Sequence, residues 1–166
     1  MSHLPLYSGH KEPKKGPEVN PKLVGEMSEA CIILALLRHN WVVLKPFGDS
    51  QRYDLVTERE GRFLRLQCKT GRLIDGAVSF PTCSSYRHRG LGTKDYRGQA
   101  DLFAVYCPDN EKTYVVPVEE VGIRTCRLRV ETSKNGQREG VRPACDFEIG
   151  RFGALERQRA AVSGPS

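Results

Sequence analysis

The sequence predicts an α/β domain in which one N-terminal helix packs on a mixed sheet of short strands. Apolar residues continue densely from Leu23 to Leu37, and the later apolar segments are short, separated by turn residues and rich in β-branched and aromatic side chains. The chain has 166 residues, of which 39% are hydrophobic. This length is enough for one domain with its own core and too short for two ordinary domains with a linker.

The helix is predicted within residues 21–39. Asn20 can cap its N-terminus, and Pro21 suits the first helical position because proline lacks the N–H that is unsatisfied there. The dense apolar run that follows ends at His39-Asn40. A single long helix therefore opens the folded part of the chain.

Short strands follow the helix. Residues 41–44 are β-branched and aromatic and end against Pro46 and Gly48, and Glu60-Gly61 is typical of a tight turn between strands at 53–58 and 62–69. The remaining predicted elements are strands at 77–80, 101–107 and 113–117, a short helix at 118–122, and strands at 128–131 and 146–149 around a turn at Asn135-Gly136.

The two ends of the chain differ in composition from its middle. Residues 1–20 contain three of the ten prolines, the pair Lys14-Lys15 and little apolar content, which predicts a flexible basic arm. Residues 151–166 contain three arginines and end in Ser-Gly-Pro-Ser, which predicts a basic tail. The folded unit is expected to span 21–150.

Composition narrows the class of protein. Twenty-six Lys and Arg against twenty Asp and Glu give a net charge of +6, which favours a polyanionic partner such as DNA. The longest apolar run, 30–37, is far shorter than the roughly 20 residues that cross a bilayer, so no membrane partner is expected. No segment near the N-terminus has the apolar stretch of a signal peptide, and a cytoplasmic protein is expected.

The six cysteines and four histidines are scattered. None of the cysteines forms a C-x-x-C pair, so the spacing of zinc ligands is missing. We expect the cysteines to be small apolar core residues without disulfides.

The predicted hairpin gathers polar side chains on one face. If Glu60 and Gly61 form the turn, Arg59 faces Arg62 and Asp54 faces Gln67, with Lys69 two residues further on the same face. Directly opposed residues have Cβ atoms about 4.5–5.5 Å apart, so one divalent cation can reach Asp54 and Gln67. The alternative is an ordinary solvent-facing polar surface of a half-buried hairpin. The other face is expected to carry Tyr53, Leu55, Leu64, Leu66 and Cys68.

A carboxylate on the helix joins this group. Glu29 lies three, four and seven residues before Ile32, Ile33 and Leu36, on the face expected to point inward. Glu26 lies one turn earlier on nearly the same face, so either glutamate can be the helix acid. A first-turn glutamate is also favoured by the helix dipole alone.

Three motifs together resemble the PD-(D/E)xK nuclease superfamily. They are Gly-x-x-x-Glu at 25–29, Tyr-Asp at 53–54 and Gln-x-Lys at 67–69. The chain is most similar to the small endonucleases linked to group I introns and, more distantly, to archaeal Holliday-junction resolvases. Two positions depart from the superfamily pattern: Tyr53 replaces its proline, and Gln67 replaces its second acid.

The resemblance implies a restriction-endonuclease-like core with a central catalytic hairpin, and a role for each residue. Asp54, Gln67 and the backbone carbonyl of Cys68 would bind Mg²⁺, which Mn²⁺ can replace, because amide and carboxylate oxygens are hard donors. Lys69 would position the attacking water and offset developing negative charge, and Glu29 would act through a metal-bound water. The products would carry 5′-phosphate and 3′-hydroxyl ends.

A basic segment at 84–98 is the predicted DNA contact. It mixes arginines and lysine with tyrosines and glycines, a composition suited to binding phosphates, although a solvated basic loop has the same composition. Asp101, just beyond it, is expected to cap or pair locally and is left out of the site. The predicted DNA-binding residues are Arg52, Tyr86, Arg87, Arg89, Lys94 and Arg97.

The sequence favours a metal-dependent DNA endonuclease over two other classes. A catalytically silent DNA-binding module on the same fold is favoured by the loss of an acid at Gln67, and a partner-binding domain would explain the hairpin as surface. A structure-specific nuclease of the Holliday-junction type is a further alternative. Clustered His-Asn-His residues and a Walker glycine loop are both missing. Cutting both DNA strands requires two active sites, so a dimer or tetramer is expected.

Overall fold

The computed structural model describes residues 20–59, 61–85, 93–131 and 141–152. Helix α1 spans Pro21–Arg38, as predicted, and the Asn20 side chain accepts a hydrogen bond from the Lys22 N–H at 3.0 Å. Asn40 has a φ of 60°, and the Trp41 N–H donates to the Leu36 carbonyl. The helix therefore ends where the chain takes a left-handed turn into the first strand. No helix in the described ranges is long and apolar enough to cross a membrane.

Within the described ranges, ten strands and two short helical segments follow α1. The strands are β1 (Val42–Leu44), β2 (Leu55–Arg59), β3 (Arg62–Thr70), β4 (Arg72–Ile74), β5 (Ala77–Pro81), β6 (Ser84–Ser85), β7 (Thr93–Lys94), β8 (Leu102–Cys107), β9 (Lys112–Pro117) and β10 (Thr125–Arg129). A 3₁₀ turn covers Val118–Glu120, and α2 covers Ala144–Phe147. Strands β4, β6 and β7 are short elements that the sequence patterns did not predict.

The main sheet has five strands in the order β1-β2-β3-β8-β9. Strands β3 and β8 are parallel and the other neighbours are antiparallel, so the predicted mixed sheet is confirmed. A second sheet, β10-β5-β4, and a small pair, β6-β7, complete the strands of the described ranges.

The register of the β2-β3 hairpin is the predicted one. Arg59 pairs with Arg62, and the ladder runs to Leu55 opposite Leu66. Gly61 sits in the turn with a φ of 75°, a conformation that costs glycine little. The turn therefore aligns the two strands as expected from sequence.

Two cores lie on opposite faces of the main sheet. On one face, Leu55 and Leu66 pack with Ile32 and Leu36 of α1, and all four are fully buried. On the other face, apolar residues of β8 and β9 pack against the second sheet, for example Phe103 and Val105 of β8 against Val78 and Phe80 of β5 and Leu128 of β10. The sheet is thus covered on both sides where β3 and β8 meet.

This second layer changes the environment of the polar hairpin face. Gln67 pairs in register with Phe103, and Lys69 with Val105, so both polar residues share the face that the second sheet covers. Gln67 exposes only 9% of its surface. The alternative of a solvent-facing polar surface is therefore wrong for Gln67.

The alternation of side chains predicted that Tyr53 shares a face of the sheet with Leu55. This prediction is wrong. Tyr53 packs against the core on the side of the second sheet. Strand β2 begins only at Leu55, so the alternation of side chains does not extend back to Tyr53.

The C-terminal part of the described chain contains the other corrections. Residues 146–149 do not form a strand: α2 covers Asp146 and Phe147, Glu148 forms only an isolated bridge with Tyr114, and β10 pairs with β5 instead. Four residues of alternating polarity are too few to distinguish a strand from a helical turn. Phe152 is buried against Trp41, with ring centroids 5.7 Å apart, so this residue is part of the core and not of the predicted tail. The rest of that predicted tail lies outside the described residues.

All six cysteines are free. Cys107 and Cys126 are buried, as predicted, and burial raises the pKa of the Cys126 thiol to about 11. Cys31, Cys68 and Cys83 are half-buried, whereas Cys145 is exposed and was wrongly predicted to lie in the core. The predicted turn at Asn135-Gly136 lies outside the described residues.

Candidate active site

Three strands bring their polar residues to one end of the hairpin. Lys45 directly follows β1, and Asp54 directly precedes β2. Gln67 and Lys69 lie near the C-terminal end of β3, away from the hairpin turn. Leu44 pairs with Val56, and Leu55 pairs with Leu66, so these positions converge at the same edge. Glu29 reaches this edge from α1.

Asp54 is the centre of the group. Its backbone N–H donates to the Leu66 carbonyl at 2.8 Å, and its Oδ2 accepts hydrogen bonds from the Cys68 N–H at 2.7 Å and from Gln67 Nε2 at 2.5 Å. Burial raises the pKa of the Asp54 carboxyl, and the negative charge of Glu29 raises it further, against the opposing hydrogen bond from Cys68. A bound cation would stabilise this carboxylate in its ionised form.

The Gln67 amide lies between two oxygens. Its nitrogen is 2.5 Å from Asp54 Oδ2 and 3.4 Å from the Cys68 carbonyl oxygen. Hence one atom can contact both of these oxygens. A cation between these two oxygens would displace the Gln67 amide nitrogen and would meet a carboxylate and a backbone carbonyl. The Gln67 side chain would have to move back and present its oxygen to supply a third ligand. These are the hard oxygen donors that Mg²⁺ and Mn²⁺ accept, so the residues present fit a divalent cation.

The donor set is poor in charge. Within the described ranges, no group of three or more histidine, cysteine and acidic side chains is placed to hold a metal. Asp54 is the carboxylate in contact with Gln67. Glu29 is near enough for its charge to raise the pKa of Asp54. The Cys68 thiol takes no part as a thiolate, because burial raises its pKa.

Lys69 lies against an aromatic ring. Its Nζ donates to the Tyr96 hydroxyl at 3.0 Å and lies 4.6 Å from the centre of the Tyr96 ring. The Arg52 guanidinium also lies 4.6 Å from the centre of that ring and donates to the Asp95 carbonyl at 2.9 Å. The described structure thus joins Lys69, a predicted catalytic residue, to Arg52, a predicted DNA contact, through Tyr96.

The two candidate helix acids have different surroundings. Glu29 is half-buried, and its Oε1 accepts a hydrogen bond from Lys45 Nζ at 2.6 Å. This pairing raises the pKa of Lys45. Glu26 is exposed and lies 3.9 Å from Lys22 on the helix surface. Glu29 therefore lies nearer the Asp54 group, whereas Glu26 pairs along α1.

The predicted DNA contacts are only partly described. Tyr86, Arg87 and Arg89 lie outside the described residues, and Lys94 is exposed on β7. Arg97 is held by protein groups: it lies 3.5 Å from Asp95 and 3.4 Å from Glu119 and donates to a backbone carbonyl at 2.9 Å.

Asp101 pairs with Arg65 of the neighbouring strand β3, and not with a residue close to it in sequence as predicted. Its Oδ1 accepts from Arg65 Nη2 at 2.7 Å, and its Oδ2 accepts from the Arg65 backbone N–H at 2.7 Å. The Arg65 guanidinium lowers the pKa of the Asp101 carboxyl.

Sequence reasoning missed Lys45 and Tyr96. Lys45 lies between the end of β1 at Leu44 and Pro46, and nothing in the neighbouring sequence marks it as close to Glu29. Tyr96 lies in the basic segment, but its contact with Lys69 depends on how the chain between β7 and β8 turns back towards β3. Neither contact has a signal in local spacing.

A helix packed on a mixed sheet, with Asp54, Gln67 and Lys69 at the end of one hairpin, defines an endonuclease of the restriction-enzyme-like class. A family model described as PD-(D/E)XK endonuclease matches residues 19–150. The chain belongs to this family.

A solved structure supports the same assignment. The chain is similar to the bacterial homing endonuclease I-Ssp6803I, with 28% identity and a TM-score of 0.67. The match covers 89% of this chain and 100% of the other. Among curated proteins, no match was found.

Proposed function

We propose that this endonuclease hydrolyses phosphodiester bonds in DNA with Mg²⁺, and that Mn²⁺ can replace Mg²⁺. One observation carries the proposal: the amide nitrogen of Gln67 contacts both Asp54 Oδ2 and the Cys68 carbonyl oxygen. Two hard oxygens, one of them charged, therefore lie around a single position at the end of the hairpin.

The residues that would hold the cation are Asp54, Gln67 and the Cys68 carbonyl. When bound, the cation polarises the scissile phosphate and lowers the pKa of the water that attacks it. Asp54 contributes the negative charge, and Gln67 contributes a neutral ligand oxygen. Because one acid of the superfamily pattern is missing, cation affinity is expected to be lower than with two carboxylates.

Lys69 and Glu29 act beside the cation. Lys69 orients the attacking water and offsets the negative charge that develops on the phosphate. Glu29 orients water from the helix side, and its Oε1 accepts a hydrogen bond from Lys45. Attack in line with the leaving 3′-oxygen leaves 5′-phosphate and 3′-hydroxyl ends.

DNA is the proposed substrate because of charge and the position of basic side chains. The chain carries a net charge of +6. Arg52 lies beside Lys69 at the Tyr96 ring, and the exposed Lys94 lies on neighbouring β7. These cations suit the phosphates on either side of a scissile bond.

A second candidate function is a DNA-binding module that does not cut. The replacement of an acid by Gln67 favours it, because the loss of a negative charge weakens cation binding. Branched DNA as the substrate, as in Holliday-junction cleavage, is the alternative for an active enzyme.

We also propose that the chain acts as a homodimer or homotetramer, since cutting both strands requires two sites. The outward face of α1 supports this proposal: Leu23, Met27, Leu34 and Leu37 recur at intervals of four and three residues around Ala30, and the four large side chains are about half exposed. Such spacing is typical of a helix that packs on another helix, here the same helix of a second copy.

The test is cleavage of linear, branched and single-stranded DNA with Mg²⁺, with Mn²⁺ and with EDTA. We expect cleavage with either cation and none with EDTA, and no cleavage by the variant Asp54→Ala, which should still fold and bind DNA. Cleavage in EDTA would refute the metal mechanism. Tight DNA binding without cleavage under any condition would favour the silent module.

A further inference from the structure

Tyr96 is a buried tyrosine on an irregular segment between β7 and β8. It exposes 5% of its surface, and its ring meets Phe103 edge to face, with centroids 5.6 Å apart and an interplanar angle of 88°. The Tyr96 carbonyl accepts hydrogen bonds from the N–H groups of Gln99 and Ala100, both at 3.0 Å. The ring and the backbone of Tyr96 are therefore both fixed in position. A residue that positions another side chain has to be fixed in this way.

The polar end of this ring meets Lys69. The Tyr96 hydroxyl accepts from Lys69 Nζ at 3.0 Å, and the same ammonium group lies 4.6 Å from the ring centre. A lysine has four rotatable side-chain bonds, so an unsupported Nζ samples many positions. Two contacts to a rigid ring restrict that freedom.

We propose that Tyr96 is a positioning residue for this endonuclease, one that holds the Lys69 ammonium at the reacting phosphate. The inference rests on the proposed function, in which Lys69 is catalytic. Tyr96 acts through Lys69 and does not itself contact the substrate.

The same ring also holds Arg52. Its guanidinium lies 4.6 Å from the ring centre, and its Nη2 donates to the carbonyls of Lys94 and Asp95 at 3.3 and 2.9 Å. Tyr96 therefore keeps the catalytic lysine and a proposed DNA contact in a constant relation. The Tyr96 hydroxyl contacts Lys69 alone of the two cations, whereas the aromatic ring lies close to both.

Two variants separate these contributions. Tyr96→Phe removes the hydroxyl and keeps the ring, so kcat should fall about 10- to 100-fold, the range for the loss of an outer-shell partner, with KM for DNA unchanged. Tyr96→Leu also removes the ring, so KM should rise as well. The matched control is Tyr114→Phe. Tyr114 is also buried, on the strand beyond β8, and its hydroxyl accepts from Asn110 at 2.9 Å and not from Lys69.

A double variant tests whether the effect passes through Lys69. In a Lys69→Ala background, Tyr96→Phe should cost no further rate, because the group that it positions is gone. A purely structural role would lower the rate by the same factor in both backgrounds. Equal factors, or an unchanged kcat in Tyr96→Phe, would overturn the inference.

A measurement without cleavage keeps the two proposals separate. Acylation of Lys69 by a water-soluble reagent, followed by mass spectrometry, should be faster in Tyr96→Phe than in the parent and unchanged in Tyr114→Phe. Equal acylation rates in all three proteins would contradict the positioning role. If acylation responds as expected but Lys69→Ala cuts DNA at the parental rate, the proposed catalytic role of Lys69 fails and the contact between Tyr96 and Lys69 stands.

Discussion

The carboxamide nitrogen of Gln67 donates a hydrogen bond to Asp54 Oδ2, beside the antiparallel strands β2 and β3. In a nuclease with an acid at position 67, two carboxylates would face each other here and repel until a cation bound. In this chain the amide satisfies the half-buried carboxylate without a cation. A cation bound here would have to replace this hydrogen bond. The Gln67 amide therefore lowers the affinity for the cation and stabilises the metal-free protein.

The first prediction concerns Gln67→Glu. The change restores the second carboxylate, so affinity for Mn²⁺ and Mg²⁺, measured by calorimetry, should rise about tenfold or more, since one charged ligand contributes at least about 1.4 kcal/mol at this distance. Cleavage should survive or change its metal preference. Without a cation, two facing carboxylates should lower the melting temperature.

The control for this change is Gln51→Glu. Gln51 is exposed in the loop that precedes Asp54. Its substitution by glutamate adds the same charge to the protein without placing it opposite the Asp54 carboxylate. Equal cation affinity in both variants and the parent would contradict the assignment of Gln67 as a ligand.

Asp54→Asn should separate stability from activity. Because folding raises the pKa of Asp54, ionisation of this carboxyl destabilises the folded state. This cost to stability is present at neutral pH and disappears as the pH falls through the raised pKa. A neutral amide removes the cost, so the free energy of unfolding of the metal-free protein should rise by about 0.5–2 kcal/mol while cleavage is lost.

Thermal melts with and without cation check this prediction. Mg²⁺ at 100 times its dissociation constant should stabilise the parent by about 2.7 kcal/mol and Asp54→Asn not at all. Asp49→Asn, in an exposed loop position, is the control and should behave like the parent. A variant at Asp54 that is destabilised and still cuts would contradict both parts.

Glu29 and Glu26 can be distinguished by paired substitutions. Glu29→Gln should lower kcat by about tenfold to a hundredfold, because Glu29 faces Lys45 and the Asp54 group. Glu26→Gln, on the exposed helix surface, should leave kcat unchanged and move stability by no more than about 0.5 kcal/mol. The reverse pattern in cleavage rates would identify Glu26 as the helix acid.

Leu34→Glu tests the proposed oligomer. Leu34 lies in the apolar outward stripe of α1, and a buried charge there should dissociate the assembly to monomers in analytical ultracentrifugation. Ile123→Glu is the control, because Ile123 is equally exposed but lies after the 3₁₀ turn, away from α1. If both variants sediment like the parent, the stripe on α1 is not the contact between copies.

The parts of the site that local chemistry determines could be predicted from the sequence. A glycine turn and alternation set the pairing of Asp54 with Gln67, and the cap at Asn20 set the start of α1. The contacts of Tyr96 could not be predicted, because they depend on the parallel pairing of β3 with β8 across more than thirty residues. The burial of Gln67 was missed for the same reason: the sheet that covers it comes from β4, β5 and β10.

The last prediction concerns the pair that aligns β3 with β8. Directly before the paired residues Leu66 and Leu102, the Asp101 N–H donates to the Arg65 carbonyl, and the Asp101 carboxylate accepts from the Arg65 backbone N–H and guanidinium. Arg65 lowers the pKa of Asp101, so the folded state favours the ionised carboxylate. The stability that this pair contributes should be fully present above the ordinary pKa of about 3.9 and lost as the pH falls through the lowered value.

Urea unfolding of the parent and of Asp101→Asn between pH 7 and pH 3 checks this expectation. Both side chains are about one third exposed, so solvent screens the pair, and the variant should be less stable by about 1 kcal/mol at pH 7. The difference should begin to shrink once the pH falls below about 3.9 and should go on shrinking towards the lowered pKa of Asp101, because the parent then loses the charge that the variant never had. A difference that stays constant over this range would show that the Asp101 carboxylate contributes through shape and neutral hydrogen bonds, and not through its charge.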